Sequence, residues 1–156
     1  RVEIVIQDGC QYVKTCKEKY DVIVCDSTDP IGPGAVLFTS EFYGDCRQLL
    51  ADGGIFVNQS GVPFLQKEEC LRVNKNLKEH FKMATCYIGA VPTYAGGFMA
   101  FGWATDRKDA QTISVEELEK RLGNVTGEMK YYTPAVHKAS FALPNFMIKT
   151  LSEGQL

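Results

Sequence analysis

Apolar and polar positions alternate from Arg1 to Gln7, which predicts a strand, and Asp8-Gly9 then marks a turn. Cys10 to Lys19 has the charge and spacing of a short helix. The apolar run Tyr20-Asp21-Val22-Ile23-Val24-Cys25 predicts a buried parallel strand, and Ile55-Phe56-Val57-Asn58-Gln59 predicts a third. Between them, Thr39 or Ser40 can cap a helix that reaches Leu50 and is stopped by Asp52-Gly53-Gly54. Leu65, Cys70, Leu71, Val73 and Leu77, with charged residues among them, predict a further helix from Leu65 to Phe81.

The second half of the chain changes rhythm. Thr85 to Val91 and Phe98 to Thr105 read as two strands joined by Pro92-Thr93-Tyr94-Ala95-Gly96-Gly97 with no helix between, so they predict an antiparallel hairpin at one edge of the sheet. Ser114 to Leu122 is a capped helix with Glu116 and Glu117 in its first turn, Tyr131 to Pro134 is a turn, and Pro134 to Leu143 is helical. The alternation of strand and helix implies an α/β doubly wound sheet with right-handed crossovers. Three parallel strands and a hairpin would leave one edge raw, and no glycine-rich nucleoside loop follows any strand. Arg1 opens directly on a strand. These features read as the later portion of a longer nucleoside-binding protein.

Composition narrows the classes. With 156 residues, 45% hydrophobic and 23% charged, the chain can form one globular domain or part of one. A net charge of −2, with lysine and arginine scattered, argues against nucleic acid as partner. No apolar run approaches the roughly 20 residues of a membrane helix, and no signal peptide precedes the first strand, so a cytoplasmic location is expected. The six cysteines show no CxxC pair or zinc rhythm, and His80 and His137 lie far apart, so no metal site is expected and the thiols are read as structural and unpaired.

Candidate chemistry concentrates in Asp26-Ser27-Thr28-Asp29-Pro30. Two carboxylates three residues apart follow a buried strand, where open α/β sheets bind ligands, and Ile31-Gly32-Pro33-Gly34 supplies a mobile loop beside them. Such a pair suits a cationic amine. The same residues are also turn formers, as Asp8-Gly9 is, and Gln59 or Tyr94 could equally satisfy backbone groups or pack a hairpin tip.

Taken together, Asp8-Gly9, the block Tyr20 to Pro33, Leu37-Phe38, Gly53-Gly54-Ile55, Asn58-Gln59, Pro92-Thr93-Tyr94 and His137 to Pro144 resemble the spermidine synthase (polyamine aminopropyltransferase) family. Order and spacing match along essentially the whole chain, covering the later, C-terminal portion of the family's sequence. The resemblance implies a Rossmann-like sheet of the S-adenosylmethionine-dependent methyltransferase type, mostly parallel with the hairpin at its end and the N-terminal part of the fold lying outside residues 1–156. It implies transfer of an aminopropyl group from decarboxylated S-adenosylmethionine to putrescine, giving spermidine and methylthioadenosine, with no metal or prosthetic group. By motif position, Asp26 resembles the catalytic acid at the attacking amine. Asp29, Gln59 and Tyr94 resemble binders of the diamine, Asp8 with Gly9 resembles the adenine-binding turn, and Pro33 the loop flanking the adenine.

The resemblance also implies a homodimer or homotetramer at full length, and little or no turnover by the fragment alone. Ala35-Val36 stand where the family commonly has an acidic residue, a departure in the gating loop. Two rival readings are an amine methyltransferase using S-adenosylmethionine and a non-catalytic remnant that binds a partner subunit. His137, in an apolar helix, is read as structural, His80 as solvated or interacting with the helix dipole at a helix end, and Trp103 as core.

Overall fold

A computed structural model describes residues 2–153 of the chain. Four strands form one sheet in the order β1-β2-β4-β3, with β1 at Tyr20–Cys25, β2 at Leu50–Gln59, β3 at Met83–Ala90 and β4 at Phe98–Thr105. β1 pairs with β2 in parallel, and β4 runs antiparallel to both β2 and β3. The hairpin therefore returns its second strand to the middle of the sheet and leaves β3 at the edge.

The helix α1 (Gly9–Thr15) precedes β1, α2 (Ser40–Leu49) links β1 to β2, and α3 (Lys67–Lys78) links β2 to β3. Thr39 caps α2 through its side-chain oxygen, which accepts from the Phe42 amide at 3.3 Å, and Phe42, Tyr43, Cys46 and Leu49 then fall on one buried face. That face meets Phe56, Val73, Leu77 and Phe81 in the main core. On the opposite face of the sheet, α5 (Pro134–Ser140) delivers Phe141, which packs on Tyr87 and Trp103 with ring centroids 5.5 Å away. Strand alternation explains the division: Phe56 and Ala104 are cross-strand partners on one face, Val57 and Trp103 on the other. α4 (Val115–Leu122) is capped by Ser114, as its sequence predicts.

Several expectations are corrected. Residues 2–7 form no strand: Val2, Ile4, Val5 and Ile6 are exposed, because alternation alone supplies no neighbouring edge to bond with. The stretch after the acid block is not a loose loop but a 3-10 helix over Gly32–Phe38, entered through Pro33, whose fixed φ suits a first helical turn. His80 is half-buried rather than fully solvated. Its Nε2 lies 2.8 Å from Ser40 Oγ, and its ring rests where a side chain on Gly44 would stand. A helix unforeseen in the sequence, α6 (Asn145–Glu153), follows Pro144 and buries Met147 against Cys70, Cys86 and Ala100.

Candidate active site

Parallel pairing sets Cys25 of β1 opposite Asn58 of β2, so the acid block and Gln59 leave the sheet side by side at one rim. Gln59 is buried, and its Nε2 donates to the Thr28 carbonyl at 3.3 Å, tying the end of β2 into the middle of the acid block. Asp26 and Asp29 are exposed on that rim. Beneath them, burial pushes the Cys25 thiol upward, which leaves it an inert apolar support.

Tyr94 reaches the same rim by topology. Because β4 is antiparallel to β2 with Gln59 opposite Phe101, the β3–β4 turn projects beyond the end of β2. Tyr94 is half exposed there, and its amide donates to Val91 in the turn that Gly97, at φ +76°, helps to close.

The turn before α1 comes to this end as well. Tyr20, at the start of β1, lies within 3.6 Å of Cys16 at the foot of the helix, whereas Cys10, at its head, lies close enough to bear on Cys25. α1 therefore runs antiparallel to β1 and brings Asp8 and Gly9 up to the rim. Asp8 caps that helix through Oδ1, which accepts from the Gln11 amide at 2.9 Å. A side chain on Gly9 would touch Leu37 at 3.5 Å, so the Asp8-Gly9 turn abuts the 3-10 helix that carries Pro33. The rim thus has one group made of Asp26, Asp29, Gln59 and Tyr94, and a second made of Asp8, Gly9 and Pro33.

One titratable side chain at this rim escaped the sequence reading. Glu69, in the first turn of α3, is only 8% exposed, and its Oε1 accepts no hydrogen bond among the described residues. Burial first and the Asp29 carboxylate second raise its carboxyl above the ordinary value, with Arg72 opposing. The signal was present: Glu69, Val73 and Leu77 recur at helical spacing, so Glu69 lies on the apolar stripe of α3. Asn58 Oδ1 and Gln59 Oε1 are likewise buried without a donor.

The rest of the molecule offers less. A cleft of about 590 Å³ opens at the opposite end of the sheet between Lys19, Arg47 and Asp52, away from the rim residues. Among the described residues no group of three His, Cys, Asp or Glu side chains could hold a metal ion, and no helix is long and apolar enough to cross a membrane. All six cysteines are free. His137 lies against Tyr132 and Phe141, its pKa lowered by burial and by Lys138.

Comparison with known proteins places this arrangement. Residues 1–115 match the spermine/spermidine synthase domain family. The chain is 45% identical over 155 residues to the polyamine aminopropyltransferase of Pectobacterium carotovorum subsp. carotovorum (strain PC1), covering 99% of this chain and 54% of that protein. It is 46% identical over 149 residues to the enzyme of the same description from Ruegeria sp. (strain TM1040), covering 96% and 52%. The chain spans about half the length of the curated relatives it matches. A crystal structure of spermidine synthase in complex with the transition state analogue AdoDATO superposes with a TM-score of 0.85 at 35% identity, over 97% of this chain and 51% of that one. Sequence and fold agree along nearly the whole length, and the chain belongs to the spermine/spermidine synthase family.

Proposed function

We propose that residues 1–156 are the C-terminal portion of a spermidine synthase, whose full-length form transfers the aminopropyl group of decarboxylated S-adenosylmethionine to putrescine. The observation that carries this reading is the Asp26/Asp29 pair at the end of β1, tied to Gln59 of β2 within the fold of a solved spermidine synthase.

The chemistry fits such a rim. The amine lone pair attacks the carbon beside the sulfonium, the carbon–sulfur bond breaks with its electrons passing to sulfur, and methylthioadenosine leaves as a neutral thioether. Alignment supplies much of the acceleration. With an aspartate near 3.9 and an alkylamine near 10.4, complete deprotonation before attack would be uphill by about 9 kcal/mol. Asp26 therefore accepts a hydrogen bond from the attacking amine, aims its lone pair and takes the proton as the new bond forms. Asp29, Gln59 and Tyr94 hold the diamine. Asp8, Gly9 and Pro33 flank the nucleoside, and the rest of its cradle comes from outside these residues.

In this reading the enzyme works in the cytoplasm as a homodimer or homotetramer, without metal or prosthetic group, and the fragment alone turns over little. The test is mass spectrometry of products from the full-length polypeptide, offered both S-adenosylmethionine and its decarboxylated form with putrescine and cadaverine competing. Spermidine with methylthioadenosine, from the decarboxylated donor only, is expected. Methylated amine, or no product from folded protein, overturns the assignment.

A further inference from the structure

Two hydrogen bonds join three elements at the end of β2. Gln59 Nε2 reaches the Thr28 carbonyl, and from the neighbouring residue the Ser60 carbonyl accepts from Cys70 Sγ at 2.9 Å. Asp29 follows Thr28 and Glu69 precedes Cys70, so the two carboxylates are brought to the same strand end from opposite sides. Glu69 and Asn58 contribute buried acceptor oxygens there, Oε1 and Oδ1, and neither accepts a hydrogen bond from any of the described residues. A buried carboxylate beside another, with its oxygen unpartnered, is costly to maintain. A ligand that carries N–H donors and positive charge relieves both costs at once.

We propose that Glu69 is a third carboxylate of the acceptor site, holding with Asp29 the ammonium at the far end of the diamine while Asp26 attends to the attacking nitrogen. The proposal rests on the aminopropyltransferase reading above and adds a residue that reads acceptor length. Glu69 stands on a rigid helix, with its backbone fixed by the Gln66 carbonyl at 3.1 Å, so its reach into the site is set by side-chain length alone. A monoamine lacks the group it recognises.

The test compares putrescine with 1-aminobutane, which has the same carbon chain and no second ammonium, in full-length wild-type and Glu69→Gln enzymes. The KM for putrescine is expected to rise roughly tenfold or more, the loss of a hydrogen bond to a charged group. The KM for the decarboxylated donor and the kcat/KM for 1-aminobutane should stay at wild-type values, which a merely structural role would not spare. Glu69→Asp keeps the charge and withdraws it by one methylene, so it should restore part of the putrescine affinity and raise the preference for cadaverine over putrescine. If wild-type enzyme makes spermidine and Glu69→Gln keeps the wild-type KM, or harms both amines equally, the assignment of Glu69 fails alone. If wild-type enzyme makes no spermidine, the parent reading fails and Glu69 loses its role with it.

Discussion

Gly102 is the position where fold and site press hardest on each other. It lies in β4 opposite both Asn58 and Cys86, and its amide donates to Ser60 Oγ at 2.8 Å. A methyl group there would stand 2.3 Å from Asn58 Oδ1, 2.8 Å from Val73 Cγ1 and 3.1 Å from Ser60 Oγ. None of the three can step aside freely. All are buried, and the Asn58 amide is already held by the Tyr43 hydroxyl at 3.2 Å and the Gln59 carbonyl at 2.8 Å. Overpacking of this kind costs about 1–3 kcal/mol, and breaking a buried amide's hydrogen bond adds about 1–3 kcal/mol. Gly102→Ala should therefore lose about 3 kcal/mol. At about 2–4 °C per kcal/mol for a domain of this size, the midpoint of thermal unfolding should fall by about 6–12 °C. Gly97→Ala is the control, because nothing lies within 4 Å of its added carbon and only its φ of +76° opposes the change, at about 1 kcal/mol. Calorimetry of both variants decides the matter. A Gly102→Ala midpoint within 2 °C of wild type, or no lower than that of Gly97→Ala, would refute the close-packing argument.

Asp26→Asn should lower kcat by about a hundredfold or more while donor binding, followed by fluorescence or calorimetry, stays intact. Under saturating substrates the chemical step should speed up from pH 7 to pH 9 as the neutral fraction of the amine grows, and a flat profile would count against an acceptor that attacks as the free amine. The raised carboxyl of Glu69 makes a stabilising contribution that is complete below the ordinary glutamate value and is lost as pH climbs through the raised one. Glu69→Gln, which never ionises, should accordingly unfold later than wild type above that window, by about 0.5–2 kcal/mol at pH 8 in denaturant titrations without amine, even as it impairs the reaction. Brief alkylation at pH 8 should modify Cys16, whose thiol is lowered chiefly by a hydrogen bond from Tyr20, before Cys70 and Cys86, which burial pushes up to about 12; peptide mapping reads the order.

Elements whose signals are local were legible. The Tyr20–Cys25 strand stands within its predicted bounds, Thr39 is the one of the two candidate caps that caps α2, and Ser114 caps α4 as expected, because an apolar run or a cap depends on a few adjacent residues. The strand predicted from Arg1 to Gln7 does not form over residues 2–7, Arg1 lying outside the described residues, because pairing is a property of two segments. The helix expected from Leu65 to Phe81 contracts to Lys67–Lys78, since Val62 and Gln66 close their own turn before it, with Gln66 Oε1 accepting from the Val62 amide. At the site, the rim positions of Asp26, Asp29, Gln59 and Tyr94 follow from strand ends and could be placed from the pattern of the chain. Glu69 was not ranked among them although its spacing with Val73 and Leu77 put it on the apolar stripe of α3, because a glutamate on an amphipathic helix is ordinarily solvated; the packing of α3 beneath the end of β2 buries it.

The place of β4 between β2 and β3 has a consequence for how the protein is made. The central strand is the last of the four to leave the ribosome, so a nascent chain that ends before Phe98 has β2 with an open flank and β3 with no neighbour. Such a chain holds both aspartates and Gln59 yet cannot seat the tyrosine turn, because that turn is fixed only when the following strand slides home. Closing the sheet and completing the rim are then one late event, and a polypeptide interrupted during synthesis would expose sticky strand edges before its rim was assembled.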